Sequence, residues 1–139
     1  IGTAESWNAR IALVREQGME ELAELAIGRF FDAAFIAAHP EIVAPIREDL
    51  LACSPVGYAG ACAALRDADL TPAIAAISNP TLVIGGALDV STPPSSTQAI
   101  AAAIPGARHV VLDAAHLSNL EQPAAFTAAL EDFLESPHG

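Results

Sequence analysis

The sequence lacks several features that mark particular classes of protein. It has no lysine: its six basic residues are all arginine and face 17 acidic residues, giving a formal net charge of −11. A surface this acidic repels phosphate backbones, so we expect no nucleic-acid partner. No apolar run approaches the roughly 20 residues that a membrane-spanning helix needs, and we expect no membrane partner.

Cysteine is also scarce, with only Cys53 and Cys62 in the chain. Their spacing matches no zinc or redox motif. The simplest interpretation is that both are small, buried hydrophobic residues. The lack of a disulfide framework favours a reducing compartment, so we expect a cytoplasmic protein.

The N-terminal residues, IGTAESWNAR, lack an initiator methionine and the basic-then-apolar pattern of a signal peptide. We therefore expect the chain to be a piece of something longer. Hydrophobic residues make up 53% of its 139 residues, which suits one domain with a real core and argues against disorder.

The first half of the chain predicts helices. Apolar residues recur at helical spacing from Glu5 to Glu16 and from Met19 to about Ala38. His39-Pro40 ends the second of these helices, because a residue before proline resists the helical conformation. Further helices are predicted at 41–52, from Ser54-Pro55 to Asp69, and in a short piece from Pro72.

The character of the sequence changes near residue 78. The run TLVIGG predicts a strand covered on both faces, and ARHVVLD predicts a second strand. A helix is predicted between them at 95–104, and another begins at Pro123. Strand, helix, strand, helix indicates a parallel crossover unit, so the expected fold class is α/β.

Each predicted strand is followed by one residue suited to proton chemistry. Asp89 lies in GGALDVSTPP and His116 lies in LDAAHLSN. Sites in open parallel sheets gather at the carboxyl ends of strands, so we expect the two side chains to meet at one edge. An Asp that orients a His and stabilises its charged form is half of a nucleophilic triad.

Each of these residues also has a purely structural interpretation. Asp89 alone can shape the turn before Thr92-Pro93-Pro94, where Thr92 can cap a helix and Pro93 can begin it. His116 alone is more often a loop residue than a base. Their corresponding positions after successive strands favour the functional interpretation. The other histidines, which lie at a helix end, in a strand and in the tail, are His39, His109 and His138.

These residues carry a resemblance to a known family. The pattern P-T-L-V-I-G-G-x-x-D-x-x-T-P-P, followed by A-A-H-L-S-N-x-E-Q-P, resembles the last part of an α/β-hydrolase. GTAESWNARI and GYAGACAALRDADL resemble cap segments of the 3-oxoadipate enol-lactonases within that superfamily. The resemblance implies the C-terminal portion of an α/β-hydrolase fold, with a helical cap (lid) at 1–77 and the end of the core at 78–139. The order of Asp before His agrees with the family order of Ser, Asp or Glu, then His.

The resemblance also implies a reaction. The family opens 3-oxoadipate enol-lactone to 3-oxoadipate in the β-ketoadipate pathway of aromatic-compound catabolism, with no metal or organic cofactor. Asp89 is then the triad acid and His116 the general base that activates a serine. Another carboxylic-ester hydrolase of the same superfamily is the alternative.

The implied substrate is a small-molecule lactone that carries a carboxylate, so the acidic chain needs a local cation. An arginine fork suits a carboxylate, and aromatic rings can line a pocket. The residues proposed for substrate binding are Trp7, Arg29, Phe30, Tyr58 and Arg66, with Arg10 as a further cationic candidate. Surface ion pairs are the alternative for the arginines, and packing between cap helices is the alternative for the rings. Where family members commonly have Arg-Trp-Phe, this chain has Arg29-Phe30-Phe31.

No G-x-S-x-G nucleophile motif occurs in the sequence. Ser118 is predicted to cap the short LSNLEQ turn. The remaining serines near the two strand ends, which belong to the loop and helix after the first strand, are Ser91, Ser95 and Ser96. The resemblance implies that the nucleophile, its oxyanion hole and most strands precede Ile1.

Two hypotheses of different classes follow. The chain is part of a hydrolase whose other half is elsewhere in the polypeptide or on another chain, or it is a non-catalytic binding or assembly module. The intact Asp89 and His116 favour the first. We expect the isolated chain to be inactive and to associate, either with the missing N-terminal half or with itself.

Overall fold

Helices fill the first half of the chain, as the apolar spacing predicts. The structure is a computed structural model that describes residues 2–136. The helices up to residue 74 are α1 (Ala4–Gln17), α2 (Glu20–Phe30), α3 (Ala33–Ala38), α4 (Pro40–Ala52), α5 (Pro55–Asp67) and α6 (Thr71–Ile74).

Local sequence signals set the ends of these helices. Thr3 and Ser6 form a reciprocal capping box at the start of α1, and Gly18, with φ of 77°, ends it. Ser54 accepts a hydrogen bond from the Gly57 amide, which caps α5 directly before its first residue, Pro55. The predicted end of the first helix and the predicted start at Ser54-Pro55 therefore agree with the structure.

The single helix predicted from Met19 to about Ala38 is wrong. The structure has α2 and α3 there, separated at Phe31 and Asp32. The Phe30 carbonyl accepts from the Leu117 amide at 2.9 Å, and the Asp32 amide donates to a Glu121 carboxylate oxygen at 2.6 Å. Backbone groups that bind a distant segment are not available to the helical ladder, so the helix is interrupted.

The chain divides into two compact units. The helical unit comprises residues 2–29 and 33–69, and the α/β unit comprises residues 30–32 and 70–136. The boundary between the two units, at 69/70, lies before the change from helical to strand-like sequence near residue 78. Helix α6 therefore belongs to the α/β unit.

The core of the helical unit lies where α1 and α5 pack along each other. Its buried members, which are apolar and follow helical spacing, are Ile11, Val14, Met19, Leu22, Ala59 and Cys62. Cys62 is thus buried, as predicted. The same prediction is wrong for Cys53, which is exposed at the end of α4 and donates its thiol to the Asp49 carbonyl. Both thiols are free.

The α/β unit contains the predicted parallel crossover. Strand β1 (Leu82–Gly86) pairs in parallel with β2 (Arg108–Leu112), with Leu82 opposite Arg108 and Gly86 opposite Leu112. The helices of this part are α7 (Pro94–Ala103), α8 (Ser118–Glu121) and α9 (Pro123–Glu135). Helix α7 contacts both strands and α9 contacts β2. None of the helices in residues 2–136 is long and apolar enough to cross a bilayer.

Gly86 lets the loops after the two strands approach each other. The Ala87 amide donates to the Leu112 carbonyl at 2.8 Å, and the Leu88 amide donates to the Ala114 carbonyl at 2.9 Å. A Cβ at position 86 would overlap the carbonyl oxygens of Ala114 and Ala115. Glycine is required here because the backbones are too close for a side chain.

Gly86→Ala should therefore destabilise the protein by about 1–3 kcal/mol, since the backbone of one loop must move. Thermal unfolding measures the change. Gly60→Ala in α5 is the matched control, because its added methyl group meets no atom within 4 Å and alanine favours a helix. Equal midpoints for Gly86→Ala and the unchanged protein would contradict the close approach.

Candidate active site

Asp89 is held at the carboxyl end of β1 by four hydrogen bonds. Its Oδ1 accepts from the amides of Ser91 at 2.6 Å and Thr92 at 2.9 Å. Its Oδ2 accepts from the Thr92 hydroxyl at 2.5 Å and contacts Nδ1 of His116 at 2.8 Å. The Asp89 side chain is only 3% exposed. The carboxylate is therefore fixed in position and aimed at the histidine.

The environment of Asp89 favours its charged form. Burial opposes ionisation, but the hydrogen bonds from Thr92, His116 and the two loop amides outweigh it, and the pKa of the Asp89 carboxyl lies below its ordinary value. Asp89 thus stays a carboxylate at neutral pH and acts as an acceptor for the His116 ring.

His116 lies in the loop between β2 and α8, with its side chain 34% exposed. Because Nδ1 faces the Asp89 carboxylate, the proton of the neutral ring is assigned to Nδ1. Nε2 then carries the lone pair, and within residues 2–136 it makes no hydrogen bond. This is the tautomer that a general base needs. The expected contact between Asp89 and His116 at the ends of neighbouring parallel strands is confirmed.

Phe30 also lies at this site. Its ring stacks on the His116 imidazole with 5.5 Å between centroids and 23° between planes. Its carbonyl accepts from the amide of Leu117, the residue after His116. The structure thus brings Phe30, one of the residues proposed for substrate binding, against the histidine that we propose as base.

The two other aromatic candidates lie in the helical unit. Trp7 and Tyr58 are half-buried and pack against its core. This is the arrangement expected if the rings only pack one cap helix against another. The Arg10 guanidinium lies over the Trp7 ring, 5.1 Å from its centroid. Burial and the neighbouring Cys62 raise the pKa of the Tyr58 hydroxyl. Substrate contact by these rings stays a prediction.

Arg66 forms a surface ion pair, which is the alternative to substrate binding given above for the arginines. Its guanidinium binds both carboxylate oxygens of Asp67, at 2.7 and 2.8 Å, and donates to the side-chain oxygen of Asn8 at 2.7 Å. Such an exposed pair contributes little to stability. Arg29 is half-buried near the end of α2. Carboxylate binding by either arginine stays a prediction.

The structure does not contain the Thr92 cap of the alternative interpretation, and the expected Ser118 cap is wrong. Helix α7 begins at Pro94 with Pro93 as its cap residue, because the Thr92 hydroxyl binds Asp89 instead. Ser118 is buried and is the first residue of α8, and Leu117 occupies the cap position without a side-chain bond. Glu121 also belongs to the site but was not predicted from the sequence; its carboxylate accepts from the amides of Asp32 and Ala115. Its position in H-L-S-N-x-E-Q-P, five residues after His116, is the sequence feature that could have indicated it.

Comparison with known proteins identifies the family of this chain. The family model described as TAP-like protein matches residues 49–138, which include both Asp89 and His116. The chain belongs to this family of α/β-hydrolases. The predicted fold class, the C-terminal portion of an α/β-hydrolase, is confirmed.

Similar proteins match nearly the whole chain. 3-Oxoadipate enol-lactonase 2 of Acinetobacter baylyi is 45% identical over 131 residues, covering 94% of this chain and 49% of that protein. The crystal structure of the enol-lactonase from Burkholderia xenovorans LB400 matches with a TM-score of 0.95 and 40% identity, covering 98% of this chain and 52% of that one.

A third similar protein is named as an esterase. This thermophilic esterase from Thermogutta terrifontis, in a malate-bound structure, has a TM-score of 0.84 and 34% identity over 94% of this chain and 49% of that one. The chain therefore spans about half the length of the relatives it matches.

Thr92→Val should raise the pKa of the Asp89 carboxyl, because the variant loses a hydrogen bond to the charged form. The carbon-13 resonance of this carboxyl, followed against pH, measures the change. Because the folded-state pKa is depressed, Asp89 contributes stability above the unfolded value of roughly 3.9, and this is lost as pH falls through the folded value. Thr92→Val should bring the folded and unfolded pKa values closer together and so narrow the pH range over which this stability is lost.

Ser95→Ala is the control for this titration. It removes a hydroxyl from the first turn of the same helix, α7, where Ser95 is exposed and makes no bond to Asp89. Its carboxyl titration should match that of the unchanged protein. If Thr92→Val also left the Asp89 midpoint unmoved, the Thr92 hydroxyl would not be what stabilises the carboxylate.

Proposed function

We propose that this chain supplies the aspartate and the histidine of the catalytic triad of a carboxylic-ester hydrolase that opens 3-oxoadipate enol-lactone to 3-oxoadipate. Asp89 and His116 act on a serine that lies outside these 139 residues. The cofactor-free reaction of aromatic-compound catabolism is the one implied by the resemblance in the sequence.

The hydrogen bond between Asp89 and His116 carries the proposal. It fixes the ring with Nε2 as the lone-pair nitrogen, and the buried carboxylate stabilises the imidazolium that forms when Nε2 takes a proton. A non-catalytic module has no need for a buried carboxylate aimed at a part-exposed histidine. The pair is therefore evidence for the hydrolase hypothesis over the binding-module hypothesis.

The chemistry follows from this tautomer. His116 Nε2 takes the serine proton as the serine oxygen attacks the lactone carbonyl. The protonated imidazole then gives that proton to the lactone ring oxygen as its bond to the acyl carbon breaks, which opens the lactone into an acyl-enzyme that carries an enol. The enol becomes the 3-oxo group by tautomerisation, as a proton is lost from its oxygen and one is gained at the neighbouring carbon. His116 next takes a proton from water, which attacks the acyl group, and returns it to the serine as 3-oxoadipate departs.

The substrate assignment is supported by the names of the relatives. The protein from Acinetobacter baylyi that is 45% identical is named for 3-oxoadipate enol-lactone, and so is a second one from that organism that is 34% identical over 98% of this chain. The alternative, a different carboxylic ester, is supported by the likeness to the Thermogutta terrifontis esterase.

The proposal can be tested with a fusion, here called the joined protein. It joins residues 1–139 to the half of the 45% identical Acinetobacter baylyi relative that this chain does not match, and its hydrolysis of the enol-lactone is measured. The fusion should be active. His116→Ala should lower kcat/KM by about 10⁴-fold or more, and Asp89→Asn by about 10⁴-fold, because the wrong tautomer then faces the serine.

His109→Ala is the control for the joined protein, since His109 lies within β2 and binds the Thr97 hydroxyl, away from Asp89. It should keep the activity of the fusion. A folded fusion whose hydrolysis does not depend on His116 would exclude the proposed base. Faster hydrolysis of simple esters than of the enol-lactone would favour the alternative substrate class.

The 139 residues alone should be inactive, because the sequence has no G-x-S-x-G nucleophile motif. They should also associate. Among residues 2–136, β1 and β2 pair only with each other, and the apolar side chains of Val111, Leu130 and Leu134 are 45%, 38% and 72% exposed. Open edges and exposed apolar surface promote association.

We propose that the natural occupant of this surface is the nucleophile-bearing half, and that a second copy replaces it when that half is absent. Sedimentation should show a dimer or a larger assembly. A serine-reactive fluorophosphonate should label the fusion and leave the 139-residue chain unlabelled. A monomer that hydrolyses the lactone by itself would contradict both the assembly and the mechanism.

A further inference from the structure

Glu121 connects two backbone segments that are far apart in the chain. One carboxylate oxygen accepts from the Asp32 amide at 2.6 Å, across 89 positions of sequence. The other accepts from the Ala115 amide. Both segments belong to the α/β unit. A single carboxylate at the end of α8 therefore bridges the 30–32 segment and the loop that carries His116.

Both neighbours of His116 are tied to this bridge. Ala115, directly before the histidine, donates to Glu121, and Leu117, directly after it, donates to the Phe30 carbonyl at 2.9 Å. The Phe30 ring in turn stacks on the imidazole. The backbone on each side of His116 and one face of its ring thus depend on where residues 30–32 lie.

Water is poorly placed to substitute for this contact. Ala115 is only 3% exposed, so its amide has little access to solvent if the carboxylate is lost. Hydrogen bonds to a charged acceptor are about twice as strong as neutral ones. An amide side chain at position 121 offers one oxygen and one NH₂ group, so it satisfies one of the two amides and sets a donor against the other.

We propose that Glu121 is a positioning residue for His116: its carboxylate holds the 30–32 segment against the histidine loop and so fixes the imidazole between Asp89 and the Phe30 ring. This inference rests on the proposed function, because it gives His116 the role of base. Glu121 itself touches no reacting atom and acts through the backbone of Ala115 and the placement of Phe30.

Two measurements on Glu121→Gln test the inference. The first is the proton resonance of His116 Nδ1–H, which is expected well downfield in the unchanged chain and is assigned by its loss in His116→Asn. In Glu121→Gln this resonance should broaden and exchange faster with water. The second is kinetics of the joined protein, where kcat should fall about 10- to 100-fold with KM unchanged, as for a misplaced catalytic group.

Glu131→Gln is the matched control, since it makes the same change of charge at an exposed position of α9. It should keep both the resonance and kcat. A Glu121→Gln protein that keeps the sharp His116 resonance overturns the inference, even if it melts at a lower temperature, because Glu121 then serves stability alone.

The two readouts separate this inference from the proposed function. If His116→Ala in the joined protein keeps its activity, the proposed base is wrong, yet the Nδ1 resonance still decides whether Glu121 positions the ring. If His116 is essential and the resonance is unaltered in Glu121→Gln, the positioning role is excluded while the function stands.

Discussion

The hydrogen bond between the Asp89 carboxylate and Nδ1 of His116 joins two loops that lie 27 residues apart in the sequence. A carboxylate with little solvent exposure is costly unless its oxygens are satisfied, and here three further hydrogen bonds from Ser91 and Thr92 satisfy them. The negative charge of the Asp89 carboxylate favours the tautomer of His116 that carries its proton on Nδ1. Everything that we propose about catalysis depends on that selection, because only Nε2 is left to take a proton.

The backbone around this contact is arranged to bring the loops together. Parallel pairing places the ends of β1 and β2 side by side, with Gly86 opposite Leu112. The absence of a side chain at Gly86 allows the Ala114 and Ala115 carbonyls to come close. Glu121 then links the second loop to residues 30–32. Side chains on loops become precise only when their supporting contacts are satisfied in this way.

Much of this arrangement can be predicted from short stretches of the sequence. TLVIGG and ARHVVLD are strand patterns, and the order strand, helix, strand, helix leaves parallel pairing as the natural topology. Asp89 and His116 follow these strands at corresponding places, so their meeting could be predicted from chain order alone. Helix ends at Gly18 and Pro55 were equally predictable, because one or two neighbouring residues determine them.

What could not be predicted depends on contacts between distant positions. The break after Phe30 arises from partners in residues 117–121, which helical periodicity does not register. Thr92 was a plausible helix cap until the structure showed its hydroxyl on Asp89. The pairing of Arg66 with Asp67 likewise could not be predicted from the spacing of charges, and substrate binding by Arg66 stays a prediction. Propensity and spacing describe single elements, whereas these roles belong to pairs of residues.

We propose above all that His116 serves a serine contributed by a nucleophile-bearing half outside these 139 residues. A crystal structure of the joined protein, with its serine trapped by a fluorophosphonate, tests this most directly. The account predicts that the modified serine oxygen lies on the Nε2 side of His116, within the roughly 2.6–3.2 Å reach of a general base, while Nδ1 still faces Asp89. A trapped serine that lies near another residue, with His116 turned away from it, would contradict the claim.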